Sequence, residues 1–434
     1  MGLPEASPGL RDAERYLRSL EVFGMRFGLE RMRRLMTALG SPQERFGTIH
    51  VVGSNGKSST ARMIAALLQQ AGARTGAYLS PHLVSWAERI EVGGSPVPGE
   101  RFAEAIARAA EAAAKVDRTL EPGDRVTQFE ALTAAAYWEL ARAGVAVAVV
   151  EAGLGGRYDA TSVIRSDVQV LTNVSLEHTR WLGPTERHIA EEKLAIVPTS
   201  GTLVTGPLGP EVHDVAERVA AERGARLLVL GRDFDLRDDV RLRPRGAFQR
   251  ENFAVAVAAA EAYAGRLDAA AVRTAAESVT TPGRMEVVAD GPLTILDGAH
   301  NPAGIAAVLA ELDSLVGDRP LMAVLSVLDD KDAAGMLAAL APRCTRAVFT
   351  RSSNRSALPP AVLESLWRQV GGRDGEIVAD PVAALERARL AARQEGAVLA
   401  TGSIYLLSDL ARAGAREGRP EGRREARKEV RRGR

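Results

Sequence analysis

The residues best suited to chemistry in this sequence lie in a short glycine-rich segment, Gly53-Ser54-Asn55-Gly56-Lys57-Ser58-Ser59. Glycines let a backbone curl until successive N–H groups point at phosphate oxygens, and a helix starting behind them adds partial positive charge. Lys57 can reach terminal phosphates, and the hydroxyl that follows it can meet a phosphate-bound Mg2+. The loop is a shortened variant, because the first glycine of a standard P-loop would fall at Val51. A plain strand-to-helix turn is the ordinary alternative. Lysine, hydroxyls, strand and helix in one register favour phosphate binding.

Two further segments carry convergent polar groups. In Glu151-Ala-Gly-Leu-Gly-Gly-Arg157-Tyr158-Asp159-Ala-Thr161, a carboxylate just past an apolar strand is placed to hold Mg2+. Gly153, Gly155 and Gly156 allow a ligand to come close. By residue type alone, Glu151 serves equally as a helix cap, and Arg157 and Asp159 as an internal ion pair. The segment Thr172 to Gly183 holds Glu177 and His178 and is followed by Glu191-Glu192-Lys193. Taken singly, His178 reads as a structural hydrogen-bonder and Lys193 as a surface lysine.

The elements that must position these groups alternate between strand and helix. Thr48–Val52 is a β-branched run ending at Gly53, Lys57–Ala71 has helical spacing, and Arg74–Tyr78, Val145–Val150 and Val168–Val174 read as strands. In a doubly wound sheet, ligands bind beyond the carboxyl ends of such strands. Gln249–Gly265 reads as helix, and Thr281-Pro282-Gly283-Arg284 breaks the pattern at a domain boundary. Beyond it, Met285–Ala289 and Pro292–Leu296 flank the hairpin signal Asp290-Gly291. Strand-like runs at Leu321–Leu328, Ala347–Thr350 and Ala397–Thr401 alternate with helices in a second, smaller α/β domain. From Ala411 the chain is basic and poor in large apolar residues, which predicts a frayed or disordered tail.

Bulk properties exclude several classes. At 434 residues the chain is too long for one core. A formal net charge of +1 offers no electrostatic argument for nucleic-acid or membrane binding. The single cysteine, Cys344, rules out an intrachain disulfide and a cysteine-based zinc cluster, and it fits a reducing cytoplasm. The most apolar window, Ala131–Val150, is broken by Glu139, Arg142 and Gly144, so it reads as a helix and a buried strand rather than a membrane span.

Taken together and in order, these segments resemble the Mur ligase superfamily, and within it the folylpolyglutamate synthase/dihydrofolate synthase family. The resemblance runs from about Leu20 to Leu410. Besides His50 through Lys57 and Glu151 through Thr161, it rests on Ser80-Pro-His-Leu83 with Glu88-Arg-Ile90, and on Thr127-Gln128-Phe129-Glu130. It rests further on His178 with Leu182-Gly183, Lys193, Pro282-Gly-Arg284, Leu296-Asp-Gly-Ala-His-Asn301, Lys331-Asp332 and Gly402-Ser-Ile-Tyr-Leu406. The Ser-Pro-His-Leu and Thr-x-Phe-Glu elements point to the folate branch rather than the cell-wall ligases.

The resemblance implies an α/β fold with a P-loop NTPase-like central domain over residues 1–282, built on a parallel-rich sheet. A smaller Rossmann-like domain over 283–410 and the tail 411–434 complete the expected organisation. It implies ATP and Mg2+ as cofactors. Gly53 to Ser59 would bind the ATP phosphates, Asn252, Arg284 and Asp297 the nucleotide, and Ser80, Glu151 and His178 the metal. Lys57, Lys193, Arg284 and His300 would be catalytic, with Lys193 at the position of a carbamylated lysine. Thr127, Gln128, Phe129, Glu130, Arg157, Tyr158 and Asp159 match substrate-binding positions. Read individually, Asn252 also suits a surface position, Arg284 a linker tie, Asp297-Gly298 a turn and His300-Asn301-Pro302 a helix cap.

The implied reaction adds L-glutamate to dihydropteroate, or to the terminal glutamate of a folate, through an acyl phosphate. Another Mur-type acid–amino acid ligase and a non-catalytic nucleotide switch are the rival readings. A cytoplasmic monomer acting on small molecules, without nucleic acid or membrane, is the expected setting.

Overall fold

Apolar, β-branched strands buried on both faces make the centre of a parallel sheet, and the run His50-Val51-Val52 marks that centre here. In this computed structural model, which describes residues 8–20 and 28–417, two compact units meet in sequence at Thr281/Pro282.

The first unit is built on eight strands: β1 (Gly47–Val52), β2 (Thr75–Tyr78), β3 (Ile90–Val92), β4 (Ser95–Pro96), β5 (Val147–Glu151), β6 (Val168–Leu171), β7 (Thr202–Thr205) and β8 (Arg226–Val229). Their order is β4-β3-β2-β5-β1-β6-β7-β8. All neighbours from β2 to β8 are parallel, and β3 and β4 add an antiparallel edge. Side chains of β5 alternate between two cores. Val147 and Val149 join Ile49, Val51 and Val170 beneath helices Lys57–Gln70, Ala247–Ala264 and Ala269–Ser278. Ala148 and Val150 join Tyr78 beneath helices Gly99–Asp117 and Gln128–Arg142. Each fully buried Val or Leu contributes about 1.5–3 kcal/mol, so this alternation holds the sheet between its helical layers. The Ala131–Val150 window divides into helix and strand as the sequence predicts, and no described helix is long and apolar enough to cross a membrane.

The second unit has six strands: β9 (Glu286–Asp290), β10 (Leu293–Leu296), β11 (Leu321–Leu325), β12 (Arg346–Phe349), β13 (Asp374–Ile377) and β14 (Ala397–Thr401), in the order β13-β12-β11-β14-β10-β9. Only β9 is antiparallel, joined to β10 through the Asp290-Gly291 turn. Two expectations need correction. The strand expected over Leu321–Leu328 ends at Leu325, because Leu328 leaves the sheet to form an isolated bridge with Ala357. The tail expected to fray from Ala411 is instead helical through Glu417: the helix Ile404–Glu417 is anchored by buried Leu406, Leu407 and Leu410 and carries its last turns along. Residues 418–434 of that tail lie outside the described residues.

Candidate functional site

Strand order explains why three loops converge. The chain runs from β1 to β2 in one direction, returns to insert β5 between them, and then places β6 on the other side of β1. Residues Val51 and Glu151 are register partners, as are Val52 and Leu171. The loops after β1, β5 and β6 therefore leave the same end of the sheet side by side, at the switch point where such folds bind ligands.

The loop after β1 is braced by the loop after β6. Thr172 Oγ1 donates to Asn55 O at 2.7 Å, Asn55 N–H donates to Asn173 Oδ1 at 3.0 Å, and Ser54 N–H donates to Asn173 O at 2.9 Å. Two glycines are required here. A side chain at Gly53, whose φ is +150°, would overlap the Thr172 hydroxyl, and a Cβ at Gly56, whose φ is +82°, would lie 2.6 Å from Asn252 Oδ1. Lys57 Nζ donates to Gly53 O at 2.9 Å and Ser54 O at 3.0 Å, so its ammonium lies over the loop. Asn252 is buried against the loop rather than on the surface, and its neighbour Gln249 donates to Ser59 Oγ and Thr281 Oγ1 at 3.4 Å each.

Lys193 is 1% exposed, not a surface lysine. Its Nζ donates to Gly53 O at 2.8 Å and to Glu177 Oε1 at 3.0 Å, tying helix Glu186–Leu194 to the glycine loop. Burial, together with the nearby Lys57 cation, pushes the amine down to about 8 despite the Glu177 carboxylate. Burial works to raise Glu177, but the Lys193 and Lys57 cations prevail and hold it well below the usual carboxylate range.

Glu151 is buried, and both oxygens are engaged at the foot of the loop. Ser58 Oγ donates to Oε1 at 2.8 Å and Ser80 N–H donates to Oε2 at 2.8 Å, while Ser58 Oγ also lies 3.0 Å from Ser80 O. Ser80 opens a loop whose N–H groups at Leu83, Val84 and Ser85 all donate to Glu88. His178 has a left-handed backbone at the start of the helix Thr179–Leu182. Among the described residues no three His, Cys, Asp or Glu side chains converge into a metal cluster. A buried carboxylate with adjacent serine oxygens instead fits Mg2+, which takes few protein ligands and completes its shell with phosphate and water.

The segments expected to bind substrate have structural duties of their own. Thr127 and Glu130 form a reciprocal capping box on helix Gln128–Arg142. Glu130 is also committed to a buried ion pair with Arg31, at 3.0 and 3.1 Å. Gln128 donates to Leu17 O at 2.9 Å. Phe129 stacks on Tyr78 with centroids 6.2 Å apart, and its ring would lie 2.5 Å from a Cβ at Gly153, so it packs directly against the loop after β5. Arg157 and Asp159 do not pair with each other. Arg157 is exposed and donates to Glu192 at 2.9 Å, whereas buried Asp159 accepts from Leu154 N–H at 2.8 Å and Thr161 N–H at 3.0 Å. Burial raises the Asp159 carboxyl despite these bonds. Tyr158 is 49% exposed.

In the second unit, buried Asp297 follows β10 and accepts from Met285 N–H and Ala299 N–H at 2.8 Å each. Burial raises its carboxyl, opposed by the Arg284 guanidinium. Arg284 itself lies against Gly298, where any Cβ would overlap it. His300 Nδ1 is 2.9 Å from Gly298 O. Asn301 caps helix Pro302–Val316 by accepting from Gly304 N–H at 2.7 Å. The turn and the cap are both real: they fix Asp297 and His300 directly after β10, and Arg284 reaches them from the chain before β9 by packing on Gly298.

The groups missed in the sequence are Arg31, Thr172, Asn173 and the bracing role of Glu177. Arg31 has no local motif. The other three sit in a segment whose only signal was its place directly after a strand.

Known proteins carry the same architecture. Residues 283–404 match the glutamate ligase domain of Mur ligases. A dihydrofolate synthase/folylpolyglutamate synthase of Mycobacterium tuberculosis is 36% identical over 383 residues, covering 80% of this chain and 78% of the relative. The chain belongs to the folylpolyglutamate synthase/dihydrofolate synthase family. It is accordingly an ATP-dependent ligase. A probable bifunctional folylpolyglutamate synthase/dihydropteroate synthase of Haloferax volcanii is also 36% identical, over 92% of this chain, but the match spans only 50% of that longer protein. Among solved structures, M. tuberculosis folylpolyglutamate synthase complexed with ADP superposes with a TM-score of 0.89 at 32% identity, covering 95% of this chain and 98% of the other. Escherichia coli FolC in complex with DHPP and ADP gives 0.86 at 28% identity, covering 96% and 100%.

Proposed function

We propose that this family member joins L-glutamate to dihydropteroate, to the terminal glutamate of a folate, or to both. The observation that carries this reading is the convergence on one sheet end of the glycine loop, the Glu151 carboxylate and buried Lys193. The ADP-bound relatives of like fold support nucleotide binding by this chain.

The substrate carboxylate attacks the γ-phosphorus of ATP, forming an acyl phosphate and releasing ADP. The glutamate amine then attacks the acyl carbon, forming the amide and expelling phosphate. Carboxylates accept amines poorly, so activation is the essential step, and catalysis is chiefly positioning and charge neutralisation. Backbone N–H groups of Gly53 to Ser59 and the Lys57 ammonium take up phosphoryl charge. Asn252 holds the loop from below; in the second unit, the family resemblance gives Arg284 and Asp297 a nucleotide-binding role and His300 a catalytic one. Glu151, with Ser58, Ser80 and His178, would hold Mg2+, which neutralises charge on the phosphate oxygens when bound. Phe129 and Tyr158, with neighbouring Gln128 and Arg157, line the approach for the pterin acid, and Thr127, Glu130 and Asp159 fix that wall. Lys193, depressed toward neutrality, is suited to carbamylation by CO2, which turns a buried cation into an anion.

A substrate labelled with 18O in its carboxylate tests the pathway. One label should appear in the released phosphate for each amide formed. Unlabelled phosphate would rule out the acyl phosphate.

A further inference from the structure

Residues 232–250, between β8 and helix Ala247–Ala264, contain six arginines and four aspartates. Three of the arginines are neutralised. Arg232 pairs with Asp233 and Glu217, Arg237 with Asp239, and Arg250 with Asp238. Arg241, Arg243 and Arg245 have no ion pair or side-chain hydrogen bond among the described residues, and all three are exposed. The remaining carboxylate of the segment, Asp235, leaves a net excess of two positive charges.

The three guanidiniums are held outward by their neighbours. Val240 and Leu242 pack on the core beneath β1, Pro244 is buried, and Arg243 N–H donates to Ala276 O at 2.9 Å. The residues alternate in and out, so the arginines share the outer side. The same segment runs straight into the helix that carries Gln249 and Asn252 against Ser59 and Gly56, with Gln249 N–H bonded to Gly246 O at 3.0 Å. Arg245 is four residues before Gln249, so its Cα lies within about 15 Å of the residue that bonds Ser59, near enough for its field to reach an approaching anion at low salt, where the Debye length exceeds about 10 Å. Unpaired surface arginines contribute little to stability. Beside a site that takes a polyanion they raise its local concentration and its rate of capture.

We propose that Arg241, Arg243 and Arg245 form an electrostatic recruiting face for the anionic nucleotide. The assignment rests on the reading that Gly53–Ser59 holds that nucleotide. The face acts before binding is complete, so it affects capture and not the chemical step.

The test uses the full chain and a fluorescent ATP analogue with Mg2+, with no folate or glutamate present. Its association rate is followed by stopped flow from about 20 mM to about 0.5 M salt, where the Debye length falls from roughly 20 Å to a few Å. The variant Arg241→Gln/Arg243→Gln/Arg245→Gln should bind more slowly at low salt, on the order of 5-fold, and converge with the unaltered chain at high salt. The variant with lysine at all three positions should keep the original rate. Unchanged association in the glutamine variant would overturn the proposal, as would an equal loss at every salt concentration or an equal loss in the lysine variant. No binding by the unaltered chain would overturn the nucleotide reading itself along with the recruiting face. In turnover, the glutamine variant should raise KM for ATP at low salt with kcat unchanged. A change confined to KM for the folate would also contradict the proposal.

Discussion

Lys193 carries the most information at the scale of single residues. By type it reads as a solvated lysine; in place it is buried between Gly53 and Glu177. Its burial was not legible in the sequence, because no local pattern tells a buried lysine from an exposed one. The same holds for Asn252, hidden beneath Gly56, and for Arg157 and Asp159, whose adjacency in sequence suggests a pair that the turn between them prevents. The depressed Lys193 amine has a consequence for pH. Only the neutral amine reacts with CO2, so the reactive fraction rises as pH increases through about 8. A protein equilibrated with 13C-bicarbonate should show a carbamate resonance that grows over that range and vanishes in Lys193→Arg. A spectrum lacking it at every pH would exclude the modification.

Individual elements show why the site's walls are as they are. Gly156 packs on the helix that bears Lys193, and a Cβ there would lie 2.6 Å from Lys193 O and 2.8 Å from Glu192 O. Gly156→Ala must displace that helix. Turnover should fall by about 10-fold or more, as expected when a catalytic group shifts by a fraction of an ångström, while ADP binding at the glycine loop is retained. A variant with normal kcat would show that the helix position is immaterial. Glu130 holds a helix N-terminus and the Arg31 guanidinium together. Glu130→Gln removes the charge paired with the buried Arg31 guanidinium and should cost about 3 kcal/mol of stability in chemical denaturation. A loss below about 1 kcal/mol would mean the pair is dispensable. The helix and strand periods were plain in the sequence. The bracing by Thr172 and Asn173 was not, because it depends on β6 lying beside β1, a matter of topology that no local window contains.

The whole molecule is built on two α/β sheets. The eight-stranded sheet gathers the glycine loop, Glu151 and Lys193 at one end; in the second unit Arg284 precedes β9, and Asp297 and His300 follow β10. The alternation of strands and helices and the break at Thr281-Pro282 were visible in the sequence. The helical extension to Glu417 was not, since composition hides an amphipathic helix whose apolar residues end at Leu410. Glutamate ligation driven by ATP is read out by phosphate release and product mass in one assay. Purified protein with ATP, Mg2+ and L-glutamate is supplied separately with dihydropteroate and with tetrahydrofolate, and phosphate release and product mass are followed together. Phosphate released with either acid, matched by a product one glutamate heavier, is the predicted result. Phosphate release that neither acid stimulates, in protein that still binds ATP, would contradict glutamate ligation to a folate acid.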